Sequence, residues 1–253
     1  MKQPMAKNKK PFWQSITLDD FLNSEEYKKG QELSPAEFYQ IWFNRMPYRP
    51  CYQKRNWIFA PFDGIITHIG KYKPDQDVFN VKGQSYTINQ ILDTEMECFC
   101  YACGIFLTAF SVHLGRSPAT GILRKVEDLP CILTNNMYMD FAELGLLKDK
   151  KVYPDRYKFA YQNQRRLYEI YDTRNNIDVI VVAIADRNVD SLLDFKQKGD
   201  VVIKGTRFNF VCWGSYGLLV VPINRKGFEL KPLVKDLDYV YAGQTAIFEV
   251  VSN

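Results

Sequence analysis

Apolar and polar positions recur along this chain with two different periods, and the change falls near Pro50. Before it the spacing is helical. Thr17 stands where it can cap a helix over 17–29, with Asp19 and Asp20 in the first turn, where a helix dipole favours acids, and Gly30 as the stop. Ser34 opens a second helix: Pro35 suits the first position, Glu37 completes a capping box, and Phe38, Ile41, Trp42 and Arg45 follow at helical spacing before Pro47. After Pro50 the chain turns to short β-branched and aromatic runs between turn residues. These predict strands over 56–60, 64–69, 101–111, 121–126, 158–171, 179–185, 208–221 and 245–251. One short helix is predicted over 87–95, capped by Thr87, with Ile88, Ile91 and Leu92 on one side. Asn175-Asn176 reads as a hairpin turn, since asparagine tolerates positive φ. The expected fold is α+β: a mostly antiparallel β core, residues 51–253, behind short N-terminal helices in residues 1–50 that have the means to associate with a membrane.

Composition narrows this. The 253 residues are 46% hydrophobic and 25% charged, enough to bury a full core, which excludes disorder and small disulfide scaffolds and favours one domain. Lysine and arginine number 33 against 29 acids, but Lys2, Lys7, Lys9 and Lys10 fall in the first ten residues; without them the balance is zero. The positive charge is therefore a short tail, suited to solvent or an anionic membrane surface, and no nucleic-acid partner is expected. Neither an apolar run nor a small-residue cleavage site follows that tail, so the expected compartment is cytoplasmic. The most apolar stretch, 98–112, is short of the ~20 residues a membrane helix needs. Six cysteines without regular spacing are expected to be reduced core thiols.

Two histidines, His68 and His113, are the candidates for general-base work near neutral pH. His68, in Ile65-Ile66-Thr67-His68-Ile69, alternates onto the face of Ile66, opposite Ile65 and Ile69, and reads as structural. His113 stands where an apolar strand meets a turn with Gly115 and Pro118; it either reaches a cleft from a rigid strand or rests as a half-buried loop histidine. Cys212-Trp213-Gly214-Ser215-Tyr216-Gly217 sets two glycines and a serine into a hydrophobic strand, an entropic cost that implies either a β-bulge or chemistry. Cys98, Cys100 and Cys103 are near enough to suggest zinc with His113, but zinc would remove the base, and no metal is expected.

Five segments then occur in one order: Asn44-Arg45 with Arg49-Pro50; Ala60-Pro61-Phe62-Asp63-Gly64; Val81-Lys82-Gly83-Gln84-Ser85-Tyr86-Thr87; Val112-His113-Leu114-Gly115-Arg116-Ser117-Pro118; and Trp213-Gly214-Ser215. Together they resemble the phosphatidylserine decarboxylase family. Weaker matches at Phe159-Ala160 with Asn163, over 179–185, at Lys198-Gly199-Asp200 and at Ala242-Gly243-Gln244 extend the likeness over residues 38–248. The chain is similar to shorter members with a Val-His-x-x-Arg-x-Pro pattern, leaving Arg116 where others carry a second histidine. It departs at Phe62, where a small residue is usual, and at Tyr216, where threonine or arginine is usual.

The resemblance implies a self-processing carboxy-lyase with a covalent pyruvoyl cofactor made from Ser215. Ser215 Oγ would attack the Gly214 carbonyl, the amide would become an ester, and β-elimination would free residues 1–214 as a β chain. Residues 215–253 would form an α chain headed by the pyruvoyl group. His113 would take the serine proton, with Asp63 orienting and stabilising its imidazolium. In turnover the ketone would form a Schiff base with the substrate amine and accept electrons as carbon dioxide leaves, so no pyridoxal phosphate (PLP) is needed. His113 would protonate the carbanion. Arg116 would position a phosphate or carboxylate, or else form a structural ion pair.

The implied substrate is phosphatidylserine, converted to phosphatidylethanolamine by a protein peripheral on the membrane, with Phe12, Trp13, Phe38, Trp42 and Phe43 either meeting the bilayer or packing as core. The fragments would stay together as a heterodimer, itself homodimerised by the family expectation. Two other readings remain open: the same chemistry on a soluble amino acid or phospho-amino acid, and an uncleaved, non-catalytic barrel-type binding module, since Ala60-Pro61-Phe62-Asp63-Gly64 and Ala242-Gly243-Gln244 also resemble turns of biotinyl or lipoyl carrier domains.

Overall fold

Side chains that accept from the first free N–H groups set the helix starts. In a computed structural model that describes residues 11–51, 53–76, 78, 86–131, 138–186, 192–212, 215–224 and 227–252, with backbone alone for Tyr138, Ser215 and Ser252, β1 (Ile16–Thr17) leads into α1 (Leu18–Leu22). Thr17 and Asp20 close a reciprocal capping box there. The helix expected over 17–29 breaks at Ser24, whose hydroxyl accepts from the Tyr27 N–H and starts α2 (Glu25–Glu32) afresh. Gly30 is therefore inside α2 and not its stop; a Cβ there would lie 2.9 Å from both Phe110 and Trp42. Ser34 caps α3 (Pro35–Glu37) with Glu37 as expected, and a π-helical turn over Phe38–Trp42 ends the segment before Pro47. Thr87 and Gln90 box the start of α4 (Ile88–Leu92). Two further α-helices stand among the described residues, α5 (Tyr138–Asp149) and α6 (Phe159–Gln162), with a 3-10 turn, Pro154–Arg156, between them.

The remaining strands are β2 (Trp57–Phe59), β3 (Gly64–Tyr72), β4 (Cys100–Leu107), β5 (Leu114–Arg116), β6 (Gly121–Leu129), β7 (Arg165–Asp172), β8 (Ile177–Ala185) and β9 (Leu192–Asp194). They continue with β10 (Val201–Val202), β11 (Arg207–Val211), β12 (Ser215–Pro222), β13 (Phe228–Pro232), β14 (Asp238–Val240) and β15 (Ala246–Ser252). Nine form one antiparallel sheet in the order β1-β14-β3-β4-β12-β8-β7-β6-β10, and β5-β11-β9 and β13-β15-β2 form two smaller sheets. The fold is thus the expected α+β type with a mostly antiparallel core. β12 lies between β4 and β8 with both sheet faces covered: Leu219 and Val221 join one apolar cluster, Leu218 and Val220 the other. Burial on both sides explains why these strands read as unbroken apolar runs. β1 pairs with β14 and Phe21 stacks on Tyr239 at 3.6 Å, so the N-terminal segment is stitched into the main sheet.

Three further expectations are corrected. The strand expected over 158–171 begins only at Arg165, because Phe159 and Ala160 dock into the core as a helical turn that the Asn163 N–H closes on the Phe159 carbonyl. The strand expected over 208–221 is two strands in different sheets, β11 and β12. His68 does not share the face of Ile66: the β3–β4 register shifts between Ile66 and His68, so Thr67 is a bulge residue. Ile66 and Ile69 then pack in one cluster, while His68 reaches Tyr216 on the other face. The hairpin at Asn175-Asn176 is present, with Asn176 at φ 55°.

The two departures from the family pattern are absorbed by glycines. A Cβ on Gly217 would sit 2.2 Å from the Phe62 ring, and one on Gly104 1.9 Å from Tyr216 Oη. That hydroxyl is bonded to Thr67 Oγ1 at 2.8 Å beside His68. Gly104→Ala is therefore expected to cost about 1–3 kcal/mol by overpacking, read as a lower urea midpoint at unchanged slope. Adding Tyr216→Phe should recover part of the loss by removing the oxygen from that space; an unchanged midpoint in the single variant would contradict this packing.

Candidate active site

β4 ends at Leu107 and the chain turns over 108–111 before His113. The turn is tied by the Ser111 N–H on the Thr108 carbonyl at 2.9 Å and the Thr108 N–H on Ser111 Oγ at 3.1 Å, and Tyr239 donates to the same oxygen at 3.1 Å. Ser111 thereby presents its carbonyl to His113 Nδ1 at 3.1 Å. A carbonyl only accepts, so the neutral imidazole carries its proton on Nδ1 and a lone pair on Nε2. His113 is fully buried, its ring stacked on Phe43 at 4.1 Å, and Nε2 has no hydrogen-bond partner among the described residues. Burial pulls the pKa down to about 4; the Ser111 carbonyl and Asp63 oppose this and Arg45 adds to it. At neutral pH this is a base without a proton on the relevant nitrogen.

Asp63, also fully buried, precedes β3. Both its oxygens take the fork of Arg49, one at 2.6 Å, and Oδ1 accepts the Ala242 N–H at 2.7 Å. Burial alone would lower the Arg49 pKa, and the carboxylate more than reverses that, holding it above its ordinary value. No hydrogen bond joins Asp63 to His113: the Ser111 carbonyl orients the ring, and Asp63 acts on it through space. Arg116 donates to the carbonyls of Gly205 at 2.8 Å and Pro47 at 3.1 Å, tying two loops to β5.

Gly214 and Trp213 lie outside the described residues, as do the side chain of Ser215 and residues 81–85 of the 81–87 motif. The Ser215 backbone opens β12 opposite Leu107 on one side and Ala185 on the other. Four residues earlier, the Val211 N–H donates to the His113 carbonyl at 2.9 Å. The segment that carries Ser215 thus leaves one sheet beside His113 and enters the other beside the turn that holds His113.

Of the aromatics offered for a bilayer face or core, Phe43 is buried, Trp13, Phe38 and Trp42 are half-buried and Phe12 is exposed. Phe43 covers His113, Phe38 meets Phe110 at 5.5 Å, Trp42 lies under Arg45 at 4.3 Å and Trp13 packs near Trp57. Among the described residues of the segment, the exposed large apolar side chains are Phe12, Tyr39, Ile41, Met46 and Tyr48. Sequence reasoning gave Arg49 no role, although its motif was visible, and α5 was missed because Phe141 and Leu144 stand exposed opposite buried Met139, Ala142 and Leu146 and blur the stripe. Cys100 and Cys103 face opposite sides of β4, and no group of three metal-ligating side chains gathers among the described residues. No helix among them is long and apolar enough to cross a membrane.

The family model described as phosphatidylserine decarboxylase matches residues 36–248. A phosphatidylserine decarboxylase proenzyme of Novosphingobium aromaticivorans is 25% identical over 82% of this chain and 71% of its own length. A protein provisionally named archaetidylserine decarboxylase proenzyme in Methanocaldococcus jannaschii is 25% identical over 88% and 96%. A third, a phosphatidylserine decarboxylase proenzyme of Azorhizobium caulinodans, is 26% identical over 82% and 73%. With most of the chain inside the family match, the chain belongs to the phosphatidylserine decarboxylase family of carboxy-lyases.

Proposed function

We propose that this chain splits itself between Gly214 and Ser215 and then decarboxylates a serine phospholipid. The observation that carries the reading is the buried Nε2 of His113, without a partner among the described residues, just past the turn that follows the strand paired with Ser215. Ser215 Oγ gives its proton to Nε2 and bonds to the Gly214 carbonyl carbon; the C–N bond breaks as that proton passes to nitrogen, leaving an ester. Loss of the Ser215 Cα proton breaks the Cβ–O bond and frees the Gly214 carboxylate, and water then releases ammonia from residue 215. The pyruvoyl group so formed would condense with a primary amine and draw off the electrons left as carbon dioxide departs. Residues 215–253 supply β12 and β15, which pair with β4, β8 and β2 of the other fragment, so the two remain one folded unit.

The names of the relatives share a serine lipid, which supports phosphatidylserine as the substrate here. Tyr39, Ile41, Met46 and Tyr48, behind the basic first ten residues, form the surface that meets an anionic bilayer. Denaturing mass measurement should find fragments 1–214 and 215–253, the latter bearing pyruvoyl, and phosphatidylserine vesicles should yield phosphatidylethanolamine. Full mass retained by folded protein, with no product, would return the chain to a binding module. Carbon dioxide from O-phosphoserine but not from lipid would move the substrate to the soluble class.

A further inference from the structure

One acid in the same region is not used by the splitting step proposed above. Glu143, on α5, accepts the Ala109 N–H at 2.9 Å, within the turn over 108–111 that also holds His113. Register places this turn directly. Ser215 stands opposite Leu107, so Ala109 lies two residues beyond the end of that pairing; on the other flank Ser215 stands opposite Ala185, and buried Asp186 is the next residue. The two strands beside the head of β12 therefore both run out into carboxylates.

Asn163 adds an observation of another kind. Its Nδ2 donates to the carbonyls of Ala185 at 2.9 Å and Asp186 at 2.7 Å, both of which can only accept, so the amide is fixed with Oδ1 turned away from them. Asn163 is 3% exposed, and Oδ1 has no partner among the described residues. A buried acceptor without a donor among the described residues, next to the strand end that pairs with Ser215, suits an incoming N–H group.

We infer that Glu143 is the amine-side proton carrier of decarboxylation, with Asn163 Oδ1 receiving the substrate's primary ammonium. This rests on the reading above that residue 215 becomes the ketone. The Glu143 carboxylate takes one proton from the ammonium; the freed amine bonds to the ketone carbon and water leaves. The C–C bond to the carboxylate breaks, carbon dioxide departs, and the carbon left behind takes the proton back from the Glu143 carboxyl. Water then cleaves the C–N bond, restores the ketone, and the departing amine takes a proton from solvent.

Burial, with Asp140 and Asp186 adding to it and the Ala109 N–H opposing, pushes the Glu143 pKa up to about 7, where one group can both accept and return a proton. Tyr27, whose own pKa Glu143 raises, is another titratable group that interacts with it. His113, down at about 4 with its proton directed to Ser111, is a poor acid at neutral pH and leaves the role open.

The test separates the two halves. Glu143→Gln protein should still split to 1–214 and 215–253 by mass, while turnover of phosphatidylserine falls roughly 10²–10⁴-fold. Cyanoborohydride trapping of the amine on fragment 215–253, read by mass, should rise through about pH 7 in the unmodified protein and only towards the amine's own pKa in Glu143→Gln. Glu143→Asp, one methylene shorter, should split normally and trap poorly, and serves if the glutamine variant does not fold. Normal trapping and turnover in either variant, or failure of a folded variant to split, overturns the role. Absence of splitting in the unmodified protein overturns the underlying reading and this one with it.

Discussion

Arg49→Met will cost the protein about 3–5 kcal/mol of folding stability, the range seen when one partner of a buried ion pair is removed. The loss comes from Asp63, which is fully buried and would keep only the Ala242 N–H against its charge. A methionine fills much of the arginine stem's volume, so little of the effect is packing. Asp63→Asn should also be costly, leaving a guanidinium whose side chain is 7% exposed facing a neutral amide. The double variant separates pairing from burial: it should be less destabilised than the sum of the two singles, because neither charge is stranded, and the coupling should exceed 1 kcal/mol on the order found for contacting groups. Urea unfolding of the four proteins measures it. Additive losses would show that the two side chains stabilise the fold independently, against the two-pronged contact described above.

The pair also explains why the candidate site was only half legible in the sequence. Caps at Thr17, Ser34 and Thr87 are local: the acceptor and the N–H it satisfies lie three residues apart, and the pattern shows it. Ser24 uses the same grammar and was hidden inside a longer helical run. What a strand pairs with is not local. Nothing in Cys212 to Gly217 says that the chain changes sheets there, and nothing in Ile65 to Ile69 reveals the bulge that turns His68 to Tyr216, since β4 sets that register. The family motifs brought Asp63, His113 and Ser215 forward together. They did not tell which group orients which: the imidazole is held by a main-chain carbonyl two residues away, and the carboxylate by an arginine fourteen residues back. Phe43 fell to the same limit, because a helical aromatic reads alike whether it covers lipid or a histidine.

Replacing that histidine is the second large effect. His113→Ala should slow splitting roughly 10²–10⁴-fold, the usual worth of a positioned general base, so that freshly folded protein keeps its full mass for long enough to isolate. The pH behaviour of the unmodified protein gives a sharper check. With a pKa near 4 the imidazole is already neutral through the physiological range, so splitting should be flat from about pH 5 to 8 and fall only in stronger acid, where Nε2 is protonated. Stability follows the same group. The unfolded chain binds a proton near pH 6.5 and the folded one resists until about 4, so the contribution of a neutral buried His113 is complete above 6.5 and is lost as pH falls through that window. The slope from this one group approaches about 1.4 kcal/mol per pH unit, and His113→Ala should flatten it. A splitting rate that instead changes through pH 7 would move the base from His113 to a group titrating there, and among the described residues Glu143 is held at about 7. Two pH profiles on one protein, splitting by mass and turnover by lipid product, therefore assign the two proton carriers separately: a limb near 4 for the first and near 7 for the second.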